Sequence, residues 1–293
     1  MKIYYPEFML WENGEIYSGF VIYVHNTGAI RKILHIDKLS TKQKREIIYL
    51  PGLLIPGMIN AHCHVELSWM KDLIPEVEGI EDFFSHMRGV HSKRPEELTV
   101  LENLNQSINE MYALGIEVCA DISNTGISFL PKEHSPMRFH TFVEVFEKEG
   151  VPFDSIILAA ERLQSLFSDS DINTASTSLH TLFTSSRRLM KEITDRVSIQ
   201  KSLQSIHFLE SKEEKMFFTE GRPMKNIHEK IKVEYKSNRI ADIAAEILPV
   251  DQRVLFVHNT LLKFTSSLLI RGSAFARHRM SLLPAMCPKF RIL

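Results

Sequence analysis

The chain has 293 residues, of which 44% are hydrophobic and 24% are charged, and its formal net charge is −1. This composition is typical of a globular protein with a large core, and the near-zero charge gives no field that would favour nucleic acid or a membrane surface as a partner. The three cysteines are too few and too scattered for a disulfide framework. Because no signal peptide or membrane-spanning run is recognisable, we expect a cytoplasmic protein.

The first 51 residues predict β-structure. The segments 2–10, 16–25 and 30–36 are rich in isoleucine, tyrosine and valine, and turn signals such as Asn13-Gly14 separate them. Three or four short strands make a small sheet and not a complete domain. We therefore expect residues 1–51 to form a small sheet that is only part of a domain.

From residue 53 onward, strand signals alternate with helix signals. Strands are predicted at 53–59, 116–122, 139–146, 175–180, 204–209, 254–258 and 282–287. Helices are predicted at 97–114, 155–167, 185–196 and 240–248. This alternation predicts parallel strands joined by right-handed crossovers. The predicted fold class is α/β, with residues 52–293 forming a (β/α)8 TIM-like barrel that lacks its eighth strand.

A His-x-His pair follows the first of these strands. The apolar run 53–59 leads into His62 and His64, and residues two apart on a strand point the same way. Both imidazoles should therefore emerge at the carboxyl end of the strand and share one divalent metal ion. Active sites of parallel barrels are built at that end. The pair predicts a metal-dependent hydrolase.

Further polar residues fall at the ends of later strands. His180 ends the fourth strand and His207 the fifth, Glu210 follows three residues later, and His258 ends the sixth. Three histidines leave a coordination position open for water, and a metal lowers the pKa of that water. A nearby carboxylate can carry the water proton to a leaving nitrogen, and another imidazole can hold the developing charge.

The run 56–68, PGMINAHCHVELS, resembles the first-strand motif of the amidohydrolase superfamily. The similar branch contains guanine, cytosine, S-adenosylhomocysteine and aminofutalosine deaminases and the triazine chlorohydrolases. The resemblance continues in order through 205–210, 257–260 and 286–289. The first motif is specific, whereas the others gain weight from their order and position.

The resemblance implies a role for each matching residue. His62, His64 and His207 match metal ligands. Glu210 matches the proton shuttle, and His258 matches the histidine that hydrogen-bonds the hydrolytic water or the substrate.

Other residues are weaker candidates. His180 lies where relatives place a substrate-side residue. Glu66 and Trp69 follow the first motif and are candidates for lining the substrate pocket, although a surface loop or core packing explains them equally well. Asp121 and Glu144 end the second and third strands, where they are candidates for hydrogen bonds to the metal-binding histidines.

The resemblance also bears on the metal and on completeness. Two-metal relatives carry a bridging lysine at the end of the fourth strand, where this chain has TSLH at 177–180, so we expect one divalent metal, Zn²⁺, with Fe²⁺ as the alternative. The resemblance implies that residues 1–51 form part of a small β-sandwich. Relatives complete that sandwich with C-terminal residues, and they have an aspartate at the end of an eighth strand. We find neither, and expect a frameshift, an early stop or trimming of a longer chain.

These observations predict a hydrolase of non-peptide carbon–nitrogen bonds that deaminates a purine-like or related heterocycle. We expect the binding partner to be a small-molecule substrate, not nucleic acid or a membrane. The resemblance further implies that the protein forms a homodimer. Two alternatives stay open. One is an inactive truncated remnant that still binds metal, and the other is a two-metal amidase similar to dihydropyrimidinase.

Overall fold

The computed structural model describes residues 1–77, 79–224 and 254–261, and the backbone of Ala274–Phe275 and Phe290–Ile292. Contacts divide the chain into two compact units. The first holds Met1–Met58 and Leu114–Glu117 with the C-terminal strand, and the second holds Ile59–Ala113 and the described residues from Val118 to Phe275. Among the described residues, no helix combines the length and apolarity needed to cross a bilayer.

The first unit is built on one mixed sheet. Its strands are β1 (Lys2–Leu10), β2 (Ile16–Tyr17), β3 (Phe20–Val24), β4 (Ile30–His35), β5 (Ile47–Pro56) and β13 (Phe290–Ile292). The order is β13-β5-β1-β3-β4, with β2 paired to β1. A 3-10 turn (Ile36–Lys38) and the short helix α1 (Thr41–Lys44) connect β4 to β5. The sheet expected to lack C-terminal residues thus receives a strand that pairs antiparallel with β5.

The strand predicted at 53–59 is wrong in its bounds. The apolar run is divided between β5, which ends at Pro56, and β6 (Met58–Cys63). β5 pairs with β1, whereas β6 lies beside the strand that begins at Ile116. The apolar run continues from β5 into β6 because both strands are partly buried. Only the Pro56-Gly57 pair, a turn signal, marks the boundary between the two strands.

The second unit contains two sheets. The four-stranded sheet has the order β6, β7 (Ile116–Ser123), β8 (Arg138–Val145) and β9 (Thr174–Leu179), and the three-stranded sheet has β10 (Gln204–Phe208), β11 (Val254–His258) and β12 (Ala274–Phe275). The pairs from β7 to β9 and from β10 to β12 are parallel. The prediction of a mixed α/β fold with parallel strands is confirmed. The predicted strand 282–287 and helix 240–248 lie outside the described residues.

Helices follow the strands as the alternation predicts. They are α2 (Ile80–His91), α3 (Glu97–Ala113), α4 (Phe129–Glu133), α5 (Phe153–Ser168), α6 (Arg187–Gln200) and α7 (Lys212–Glu220), with a 3-10 helix at Val65–Met70. Ser186 and Ser211 cap α6 and α7 by accepting hydrogen bonds from the third residue beyond them. The sequence did not predict α2 and α4.

A serine hydroxyl joins the two sheets of the second unit. Ser178 Oγ accepts the backbone N–H of Ser205 at 2.7 Å and donates to the Ser205 carbonyl. His180 is the first residue after β9. Its carbonyl accepts the backbone N–H of His207, which lies on β10, at 3.0 Å. These bonds link β9 to β10, which belong to different sheets, and they bring the two histidines together.

His140 is a buried histidine on β8, away from the predicted site. Its Nδ1 lies 2.7 Å from Thr174 Oγ1 and its Nε2 lies 2.9 Å from Ser176 Oγ. Burial, with a smaller contribution from Lys132, lowers the pKa of His140 from 6.5 to about 4. The folded protein therefore holds this ring neutral where the unfolded chain would protonate it.

We expect His140 to make folding stability decrease as pH falls from 6.5 towards 4. The pKa of His140 is lower in the folded protein than in the unfolded chain, so between the two values the unfolded chain binds more protons. The full contribution of this residue to folding stability is therefore present above that window. The loss attributable to this residue is about 2 kcal/mol by about pH 5. Urea unfolding of the wild-type chain and of His140→Gln, near pH 7.5 and near pH 5, measures it. Equal pH dependence in both proteins would contradict the assignment.

Candidate metal centre

The structure brings the predicted metal ligands together within the second unit. His62 lies on β6 and His64 directly follows that strand, whereas His207 lies on β10 and His258 ends β11. The ring centroid of His62 is 4.9 Å from that of His64 and 4.9 Å from that of His207. The rings of His207 and His258 stack with centroids 5.4 Å apart. Four imidazoles from three strands thus form one cluster.

The ring nitrogens of this cluster fit a metal ion. The Nε2 atoms of His64 and His207 lie 3.2 Å apart. Two nitrogens bound to one tetrahedral zinc ion, each at about 2.0 Å, would be about 3.3 Å apart. The Nδ1 atom of His62 is buried and has no hydrogen-bond partner in the described part of the chain. Ring nitrogens of His62, His207 and His258 also lie within 4.8 Å of one another.

The three predicted ligands are neutral near pH 7. Burial, reinforced by the neighbouring imidazoles, lowers the pKa of His62 to about 3 and that of His64 to about 2. Burial also lowers the pKa of His207 to about 4, although the Glu144 carboxylate opposes the shift. Because a metal ion needs the lone pair of an unprotonated imidazole, these environments prepare the rings for binding.

The tautomer of His207 is set by its other nitrogen. Its Nδ1 lies 3.2 Å from the carbonyl oxygen of His180, an acceptor only, so Nδ1 carries the proton. Glu144 Oε1 lies 3.4 Å from the same Nδ1. The Nε2 lone pair of His207 is thereby left to face His64. Asn124, which the sequence did not single out, donates from Nδ2 to Glu144 Oε2 at 3.1 Å.

Glu210 and His258 face each other beside the cluster. His258 Nε2 lies 3.5 Å from Glu210 Oε1, and about one third of each side chain is exposed. Burial raises the pKa of Glu210, and the proximity of His258 opposes that shift. His258 and Asn259 have left-handed backbones, with φ 71° and 53°. Such conformations cost free energy in non-glycine residues and cluster at functional sites.

His180 lies between the cluster and two aromatic rings. Its ring centroid is 5.2 Å from that of His207, 5.5 Å from Phe146 and 6.2 Å from Phe84. Burial lowers the pKa of His180 to about 4, so the ring is neutral, and its Nδ1 lies 3.0 Å from Thr184 Oγ1. Glu144, His180 and His207 form a second group whose ligand atoms lie within 4.8 Å of one another.

Glu66 and Trp69, the candidates for lining the pocket, have other partners. The buried Glu66 carboxylate accepts hydrogen bonds from the Asn124 N–H at 2.8 Å, the Thr125 N–H at 3.0 Å and Thr125 Oγ1 at 2.7 Å. Trp69 packs in an apolar cluster with Val100. Glu66 therefore joins the segment after β6 to the segment after β7, and Trp69 belongs to the core.

The chain is similar to known proteins in sequence family and in fold. A family model described as "Amidohydrolase family" matches residues 53–289. The structure of aminofutalosine deaminase from Helicobacter pylori in complex with methylthio-coformycin is similar, with a TM-score of 0.76, 18% identity, and coverage of 94% of this chain and 69% of that one. Adenosine deaminase from Xanthomonas campestris with bound zinc gives 0.69 at 12% identity, covering 93% and 61%. No curated protein matches the chain in a sequence search.

Atrazine chlorohydrolase from Arthrobacter aurescens, complexed with zinc, is similar with a TM-score of 0.67 and 12% identity, and the match covers 94% of this chain and 65% of that one. The chain thus spans 61–69% of the length of these three proteins. At these identities the structural likeness shows the fold, while the family match extends over most of the chain. The predicted resemblance and the predicted class of enzyme, an amidohydrolase-type hydrolase, are confirmed: the chain belongs to the amidohydrolase family.

Proposed function

We propose that this chain deaminates a purine-like or related heterocycle, using water activated by one divalent metal ion. The observation that carries the proposal is the approach of His64 Nε2 and His207 Nε2 to 3.2 Å, with the ring centroid of His62 4.9 Å from that of His207. Two of the similar structures are deaminases. We further propose that residues 52–293 belong to a (β/α)8 barrel and that residues 1–51 form part of a β-sandwich.

His62, His64 and His207 would hold the metal, which when bound lowers the pKa of water towards neutrality. We propose Zn²⁺, because imidazole nitrogens suit it and two of the similar structures contain zinc, with Fe²⁺ as the alternative. The end of β9 and the residues after it, 177–180, contain no lysine to bridge two ions. We therefore propose that the site holds a single ion.

Glu210 is the proposed proton carrier. Burial raises its pKa, which makes its carboxylate a stronger base than an exposed glutamate. It would accept a proton from the attacking water and deliver it to the leaving nitrogen, so that ammonia departs and a carbonyl forms on the ring. His258, whose Nε2 is 3.5 Å from Glu210 Oε1, would stabilise the charge that develops during the attack.

We propose that the substrate binds beside His180 and the rings of Phe84 and Phe146. Aromatic rings pack favourably against planar heterocycles in offset-stacked or edge-to-face arrangements. Phe84 comes from α2 and Phe146 directly follows β8, so the pocket would draw on separate segments of the second unit. This placement favours a small planar substrate.

The test is ammonia release by the zinc-loaded chain against a panel of aminated purines, their nucleosides and thionucleosides, with a chlorinated triazine included for chloride release. We expect ammonia from at least one aminated substrate, loss of that activity in His207→Ala, and wild-type activity in His140→Gln, which alters a buried histidine outside the site. Chloride release alone would replace deamination by dehalogenation. Metal binding without any turnover would establish the inactive remnant instead.

A further inference from the structure

A fully buried ion pair lies next to the segment that carries His62 and His64. Lys132 Nζ is 2.6 Å from Asp121 Oδ2, and the two side chains are 1% and 0% exposed. Lys132 also donates to Ser123 Oγ at 3.1 Å and to Thr141 Oγ1 at 2.9 Å. All three hydrogens of the ammonium group therefore have acceptors, as a charge at this depth requires.

The second oxygen of Asp121 holds the backbone beside a predicted metal ligand. Asp121 Oδ1 accepts the N–H of Val65 at 2.8 Å, and Val65 directly follows His64. Val65 begins a 3-10 helix whose N-cap, His64, makes no side-chain capping bond. The first N–H groups of a helix have no partner within the helix, so the Asp121 carboxylate supplies the missing acceptor.

Stability alone does not explain this pair. Removing two charges from water is costly, and well-packed apolar residues of similar size often serve a core equally well or better. The pair also meets an apolar group, because Lys132 Nζ lies 4.5 Å from the ring centroid of Phe167. An apolar pair, however, would offer no oxygen held in place to accept the Val65 N–H. Lys132 and Ser123 both bind Oδ2 of Asp121, which leaves Oδ1 aimed at Val65.

We propose that Asp121, oriented by Lys132, is a positioning residue that holds the Val65 amide and thereby places the His64 imidazole at the metal centre. The inference rests on the proposed metal site and adds to it a role for two residues that touch neither metal nor substrate. Glu66, the next residue after Val65, adds a second connection, because it accepts the N–H groups of Asn124 and Thr125. The start of the 3-10 helix is thus tied to β7 and to the segment that follows it.

Two double variants isolate the hydrogen bond from the charges. Asp121→Asn/Lys132→Met and Asp121→Leu/Lys132→Met both remove the ion pair, but only the first keeps a side-chain oxygen for the Val65 N–H. The readouts are the Zn²⁺ dissociation constant from competition with a chromophoric chelator, the visible spectrum of the Co²⁺-loaded protein, and amide hydrogen exchange at Val65. Thermal unfolding confirms that each variant is folded.

We expect the asparagine variant to bind Zn²⁺ within roughly threefold of wild type, and the leucine variant to bind it about 10–100-fold more weakly with an altered Co²⁺ spectrum. The Val65 amide should exchange faster in the leucine variant alone. Asp121→Ala/Lys132→Met also lacks the acceptor and repeats the comparison if leucine prevents folding. Equal Zn²⁺ affinities in the folded variants would overturn the positioning role and leave the metal site intact. Failure of the wild-type chain to bind Zn²⁺ would overturn both.

Discussion

Glu210→Gln should lower the rate of ammonia release by about 10²–10⁴-fold, the usual contribution of a positioned acid–base group. The substitution keeps the size and one hydrogen-bonding oxygen of the side chain but removes the basic carboxylate. Because Glu210 is not among the predicted metal ligands, Zn²⁺ affinity should stay close to that of wild type. The loss should therefore appear in kcat and not in metal content.

Steady-state kinetics on the aminated substrate identified by the panel, with metal analysis of the same samples, measures this effect. Glu220→Gln is the matched control, since it makes the same change on an exposed glutamate at the end of α7. Full activity of Glu210→Gln would assign proton transfer to another group. Parallel loss of activity and zinc would instead make Glu210 a structural or metal-binding residue.

Lys132→Met alone should destabilise the protein by about 3–5 kcal/mol, because it leaves the Asp121 carboxylate buried without its counter-charge. Adding Asp121→Asn should recover most of that loss, since the remaining buried groups are neutral. The reason lies in the burial of both partners, which are at most 1% exposed and 2.6 Å apart.

Urea unfolding of the wild-type chain, the single variant and the double variant at one pH measures the coupling. Lys191→Met is the control, because Lys191 pairs with Asp195 on the exposed face of α6, and exposed pairs contribute little. A cost below about 1 kcal/mol for Lys132→Met, with no recovery in the double variant, would contradict the burial of a charged pair.

The grouping of the four histidines could be anticipated because strand ends are readable locally. The histidines lie at or near the ends of strands, and parallel strands bring such ends to one edge; they are His62, His64, His207 and His258. The bounds of the first strand were wrong because β5 and β6 share one apolar run. Hydrophobicity reports burial, and it does not report which of two sheets a strand joins.

The supporting contacts were not predictable in the same way. Lys132 lies in the short helix α4, where a charged residue indicates a solvated face, since lysine is rarely buried unless paired. Its partner Asp121 belongs to another element, and no local pattern joins the two. Glu66 looked equally suited to a pocket or a surface loop, and its role depends on backbone N–H groups that any sequence would supply.

The proposed metal centre is tested most directly by the number of zinc ions that the purified chain binds, measured by titration with metal analysis. We predict one ion per chain, retained in His140→Gln and lost in His62→Ala and His207→Ala. Two ions per chain would contradict the single-metal site and favour a two-metal amidase that also uses the group Glu144, His180 and His207. No bound zinc, or binding that survives loss of His62 and His207, would contradict the metal centre itself.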